Sequence, residues 1–141
     1  MNAHERCKLD VPEQIETERL RLKILEAGDG ETIFEAMHES YSRLSPWLRW
    51  VSDDQSPEKN ELYCRASQAR YYDREILEYG IFLKAENRII GRIGVHKAHC
   101  WDPIIRELGY WLRTGYERHG YMSEAVQAVI QILFVNMHTH K

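Results

Sequence analysis

The sequence predicts an α+β fold: a mostly antiparallel sheet of about four strands with three helices packed on it. Three observations carry this expectation. Charge and aliphatic side chain alternate along Arg19–Ile24, and apolar residues recur at helical spacing along Ala125–Met137. Between them, three strand-like runs follow two helical ones. Consecutive strands after helices give a meander with helices laid on it, not alternating parallel units.

Each element has its own signal. Residues 1–14 are polar and aperiodic, which predicts a flexible N-terminal tail. Arg19-Leu20-Arg21-Leu22-Lys23-Ile24 alternates between a wet and a buried face, the signature of a half-buried strand. Gly28-Asp29-Gly30 ends it, and Asp29 is placed to cap a helix carrying Ile33, Phe34, Met37 and Tyr41 on one side. Ser45-Pro46 closes that stretch. Ser56-Pro57-Glu58 has a capping serine and a proline in the first turn, opening a helix to about Glu75. Leu62, Ala66, Ala69 and Tyr72 are its expected inner side. Tyr79, Ile81 and Leu83 form one strand, and Ile89, Gly91, Ile93 and Val95 the next, with Glu86-Asn87 as the turn. A polar loop through Asp102-Pro103 leads to a strand over Ile105–Leu112. The last helix presents Ala125, Val126, Val129, Ile130, Leu133, Phe134 and Met137 as one apolar face.

With 141 residues there is room for one core. A charged fraction of 29% beside 43% hydrophobic residues suits a globular domain. The net charge of -3 supplies no global attraction to nucleic acid or an anionic membrane, and no basic stripe with interleaved aromatics exists to act locally. No apolar run approaches the roughly 20 residues that span a bilayer, and the opening MNAHERCKLDVPEQ lacks a secretory apolar stretch. Cys7, Cys64 and Cys100 are odd in number and far apart, so they read as free thiols in a reducing, cytoplasmic setting. His96, His99 and Cys100, and separately His138 and His140, lack a second ligand group at a matching spacing, so no metal is expected.

The chemistry concentrates in Glu107–Ala125, where a strand runs through a short loop into the long helix. A helix's leading amides have no internal acceptor and sit at the positive end of its dipole, where phosphates bind. Gly120 lets a ligand approach the backbone, and Arg118 and His119 add donors.

That whole segment resembles the acetyl-CoA-binding motif of GNAT N-acetyltransferases, in the RimJ/RimL-type branch. Ile15–Leu22 resembles the branch's opening strand, Ser45-Pro46-Trp47-Leu48-Arg49-Trp50 its helix-loop signature, and Ile89–Gly94 and Glu107–Leu112 two further strands. The resemblance implies an N-acetyltransferase that moves an acetyl group from acetyl-CoA to a primary amine. Protein N-termini and small amines are both acceptors in that branch. It implies that the fourth strand splays from its neighbour, with backbone groups near Trp111, Leu112 and Arg113 bonding the pantetheine arm. Residues Arg118, His119, Gly120, Tyr121 and Met122 would hold the pyrophosphate. Glu107 is the candidate general base, directly or through water; a solvated carboxylate on a half-wet strand is the competing reading. Trp47 and Trp50 are candidate walls of an acceptor pocket, with a core or hinge role as the alternative.

Two departures from the family pattern shape the expectation. Glu117 and Arg118 stand where it opens with Gln or Arg and then glycine. A carboxylate about 6 Å from a phosphate opposes it by roughly 2–3 kcal/mol at an effective dielectric near 20. The family's later strands and helix are also not matched by Lys141, so residues 15–141 are expected to form a truncated GNAT domain. An exposed sheet edge would then favour a homodimer. A catalytically incompetent fragment acting as a binding module is the alternative to the enzyme.

Overall fold

The computed structural model describes residues 10–47, 55–97 and 106–135, with only the backbone given for Lys97, Arg106 and Glu107. The strands are β1 Gln14–Glu16, β2 Leu20–Ile24, β3 Leu77–Leu83, β4 Arg88–Lys97 and β5 Arg106–Leu112. The helices are α1 Gly30–Glu39, α2 Tyr41–Leu44, α3 Pro57–Tyr72 and α4 Tyr121–Val135. The strands form one sheet in the order β1-β2-β3-β4-β5, each antiparallel to its neighbour. The α+β meander is as expected, with one strand and one helical turn more than the pattern predicts.

The additional strand, β1, is three residues long and exposed at both ends, so it carries no usable periodicity. It forms because the chain turns at Thr17, whose amide bonds Leu20 O at 2.9 Å, and pairs back on β2. Just before it, Val11 is buried, and Tyr71 Oη donates to its carbonyl at 2.5 Å. Within the expected tail Val11 is therefore packed and Gln14 already belongs to β1, and residues 1–9 lie outside the described part.

The sheet is the middle of three layers. On one face Leu20, Leu22, Tyr79, Ile81 and Ile93 meet Ala125, Val129 and Leu133 of α4. On the other, Leu25, Ile33, Ala36, Met37, Cys64, Ile89 and Trp111 form a second core under α1 and α3. β3 is covered on both sides, and Glu78 in it is 2% exposed.

α3 starts as its sequence dictates. Ser56 is extended, Pro57 follows, and Ser56 Oγ accepts Lys59 N at 3.1 Å. Its inner face is not the expected one. Leu62 and Tyr72 are exposed, as are Ala66 and Ala69, while Asn60, Cys64, Ser67 and Tyr71 are buried. Polar residues win the inner face because their groups are satisfied there: Asn60 Nδ2 donates to Ser56 O at 3.0 Å and Ser67 Oγ to Glu78 Oε2 at 2.9 Å.

α1 also begins differently. Asp29 has helical backbone angles and makes no side-chain cap. Its Oδ2 accepts Glu26 N at 2.9 Å, closing the preceding turn. The amides of Gly28 and Gly30 go instead to the Glu61 carboxylate on α3, at 2.9 and 3.1 Å. A side chain on Gly30 would overlap the Glu61 backbone, so glycine sets the α1–α3 approach.

Candidate active site

β5 ends in a loop that leads into α4. In that loop Thr114 N bonds Ser40 Oγ at 2.8 Å, Tyr116 N bonds Arg113 O at 3.1 Å, and Gly115 N bonds Glu117 Oε2 at 2.7 Å. Arg118 and Gly120 both have positive φ, at 66° and 79°. The first α4 backbone bond runs from Glu124 N to Gly120 O at 3.1 Å. The amides of Tyr121, Met122 and Ser123 precede it and have no intrahelical acceptor. Arg19, reaching over from the β1–β2 turn, stands beside them. Its Nη1 donates to His119 O at 2.9 Å and its guanidinium lies 4.5 Å from the Tyr121 ring centre. The His119 ring also lies near this start, its centre 5.4 Å from that of Tyr121. Arg118 and Gly120 are exposed, and Tyr121 and Met122 half-buried.

β5 pairs continuously with β4, from Gly91 opposite Leu112 to Lys97 opposite Arg106. It is the last strand of the sheet among the described residues. Arg113 N is given to Ile90 O at 2.6 Å, and the Trp111 carbonyl lies against Gly91. Antiparallel alternation then turns the backbone groups of Leu108, Tyr110 and Leu112 to the open edge. Of Trp111, Leu112 and Arg113, Leu112 alone offers its backbone outward. The Trp111 side chain is in the core at 3% exposure. Arg113 is buried as well, its Nη2 on Glu35 at 3.2 Å and its Nε on Glu39 at 2.9 Å, and so fastens α1 to the end of β5.

Beneath α1 and α3 a cavity of about 480 Å³ opens over the sheet, with Met37, Tyr63, Glu78, Arg92, His96 and Trp111 around it. Its floor is the facing pair Gly94 and Gly109. A Cβ on Gly94 would meet His96 Nε2 at 2.9 Å, which places the imidazole across that floor. Glu78 accepts Tyr63 Oη at 2.5 Å and Ser67 Oγ at 2.9 Å. Burial pushes the Tyr63 hydroxyl up to about 12 despite the Arg92 cation, whose guanidinium lies 5.0 Å from its ring. The backbone of Glu107 sits opposite His96, at the end of the floor. Trp47 is 83% exposed and does not line the cavity, because α2 anchors itself through Leu44. Trp50 lies outside the described residues.

The sequence pattern missed Arg19, Arg43, Tyr63, Glu78 and Arg92. Glu78 had one visible signal, a carboxylate between Leu77 and Tyr79 inside a strand, on the face that alternation alone assigns to water. Among the described residues no group of three His, Cys, Asp or Glu side chains could hold a metal, and no helix is long and apolar enough to cross a membrane.

Residues 19–141 match the family described as acetyltransferase (GNAT) domain. YdaF of Bacillus subtilis, whose name assigns it provisionally as a ribosomal N-acetyltransferase, is 24% identical over 127 residues, covering 88% of this chain and 67% of YdaF. The ribosomal-protein-S5-alanine acetyltransferase of Vibrio fischeri superposes with a TM-score of 0.77 at 21% identity, over 93% of this chain and 71% of that one. The RimL ribosomal L7/L12 α-N-protein acetyltransferase, solved in complex with coenzyme A, gives 0.74 at 20% identity, over 84% and 66%.

Proposed function

Because the chain belongs to the GNAT acetyltransferase family, we propose that it transfers an acetyl group from acetyl-CoA to a primary amine, the N-terminus of a ribosomal protein being the favoured acceptor. The names of the relatives support that acceptor class. The carrying observation is a juxtaposition: the open edge of β5 runs directly into a loop whose far side is the uncommitted first turn of α4.

The described residues fit a nucleotide thioester in this place. Leu108 and Tyr110 offer edge amides and carbonyls of the kind a pantetheine arm uses, and Leu112 offers its amide, its carbonyl accepting from Arg43 Nη2. Tyr121, Met122 and Ser123 amides, with Gly120 beside them, offer donors to a diphosphate. Arg118 and His119 stand exposed on the approach. Acetyl-CoA supplies an activated acetyl group there. The chain's part is to orient the arm and the amine and to take a proton from the amine. Glu107, opposite His96 at the end of the glycine floor, is our candidate for that proton, directly or through water. The cavity beside it suits the amine-bearing end of the acceptor. We place this activity in the cytoplasm.

Calorimetric titration with acetyl-CoA tests the reading. Saturable binding together with acetylation of an N-terminal peptide is the expected result, and Glu107→Gln should lower kcat by roughly 100-fold or more. Absence of binding at millimolar ligand would sink it.

The open β5 edge and the exposed Ile130, Phe134 and Val135 of α4 also motivate self-association as a homodimer. Sedimentation should show mass rising with concentration; a monomer throughout would remove that part.

A further inference from the structure

Glu117 occupies the loop in a way that none of the family matches assigns. Its Oε2 takes the Gly115 amide at 2.7 Å, and its Oε1 pairs with Arg43 Nε at 3.0 Å. Arg43 comes from α2, 74 positions away by number. It also donates through Nη2 to Leu112 O, and its Nε lies 3.3 Å from Thr114 Oγ1. One guanidinium therefore spans the last edge carbonyl of β5, the loop hydroxyl and the loop carboxylate. Both side chains are about one-third exposed, at 36% for Arg43 and 34% for Glu117, so either can swing outward without opening the core. The neighbouring Arg113 has no such freedom, being buried against Glu35 and Glu39.

We propose that Glu117 is an internal anion in the diphosphate cradle, holding Gly115 N and Arg43 as a phosphate group would, and that Arg43 is a phosphate-binding residue masked by it. This rests on the acetyl-CoA reading above. A bound diphosphate near the α4 start would be repelled by Glu117 and attracted by Arg43, so the pair sets cofactor affinity. Glu117 also favours the charged form in the cofactor-free protein: its own amide first, then the Gly115 amide and the Arg43 and Arg118 cations, hold its carboxyl below the ordinary range.

Glu117→Gln keeps an oxygen for Gly115 N and removes the charge, which makes it the informative variant. Coenzyme A is titrated calorimetrically into the full chain, its Glu117→Gln variant and the Glu117→Gln/Arg43→Gln double variant, with thermal midpoints of the ligand-free proteins measured alongside. We expect Glu117→Gln to stay folded with a somewhat lower midpoint and to bind at least about tenfold more tightly, and Arg43→Gln to reverse most of that gain. Wild type and Glu117→Gln binding within twofold of each other would overturn the proposal and leave the acetyltransferase reading standing. A gain that Arg43→Gln leaves untouched would overturn the role given to Arg43. Failure of every variant to bind at millimolar coenzyme A would remove both readings together.

Discussion

Glu124 Oε2, in the first turn of α4, accepts the backbone amide of Arg19 at 2.9 Å, while its Oε1 pairs with Arg19 Nε at 2.8 Å. Thr17 Oγ1 donates to the same carboxylate. One acidic side chain thus ties the β1–β2 turn to the helix that the cofactor reading depends on, and it complements the helix dipole as well. Burial alone would raise its pKa, but the Thr17 and Arg19 donors outweigh burial and lower it. A carboxyl lowered on folding contributes its stabilisation above its unfolded value, about 4.3, and loses it as pH falls through the folded value. Glu124→Ala should cost about 1–3 kcal/mol at neutral pH by urea unfolding, with the deficit shrinking below about pH 4.

Gly30 lies where α1 and α3 touch, with Glu61 backbone atoms in the space a methyl would need. Backbone cannot swing aside as a side-chain tip can. Gly30→Ala should destabilise by about 1–3 kcal/mol, read from the denaturant midpoint at unchanged slope.

Arg118 holds a φ of 66° at the position where the family pattern has glycine. A left-handed conformation costs an L-residue roughly 1–2 kcal/mol, and glycine gives back part of that as unfolded-chain entropy. Arg118→Gly should therefore stabilise by about 0.5–1 kcal/mol, seen as a higher thermal midpoint.

Cys64 sits in the core under α1 and α3, and burial pushes its thiol up to about 12, with Asp29 and Glu61 adding to the shift. At pH 8 almost no thiolate is present to react. Mass spectrometry after iodoacetamide treatment should show Cys64 unlabelled in the native protein and labelled in urea.

What was legible in the sequence was local. The Ser56-Pro57 cap, the Glu86-Asn87 turn and the Leu20–Ile24 alternation depend on neighbours a few residues apart, and each stands where it was expected. The loop we propose for the diphosphate could be picked out on the same local basis, since Arg118 to Met122 are contiguous. Partners brought together by folding were not. Nothing near Asp29 in sequence announces that Glu61 will take the α1 amides, and nothing near Arg113 announces Glu35 and Glu39. α3 defeated a hydrophobic count because its buried side holds Asn60, Ser67 and Tyr71, whose polar atoms find acceptors on other elements or in the preceding turn. The exposure of Ile130 and Phe134, two of the seven residues expected on the apolar face of α4, has a matching cause: the core beneath the helix buries Ala125, Val129 and Leu133 and is flanked by the half-buried Val126, Ala128 and Ile132, which leaves those two positions outside it.

The bare backbone of Gly94 and Gly109 means the room above the sheet is made by what those two positions lack. The size of what that room can admit is then governed by hydrogen atoms on α-carbons, and it can be dialled down one methyl at a time. The two positions differ: a Cβ at Gly109 meets nothing nearer than His96 Nε2 at 3.9 Å, whereas one at Gly94 must displace that imidazole. Evolution or a protein engineer could narrow the chamber at the first and reorient the histidine at the second, leaving the helices above unaltered.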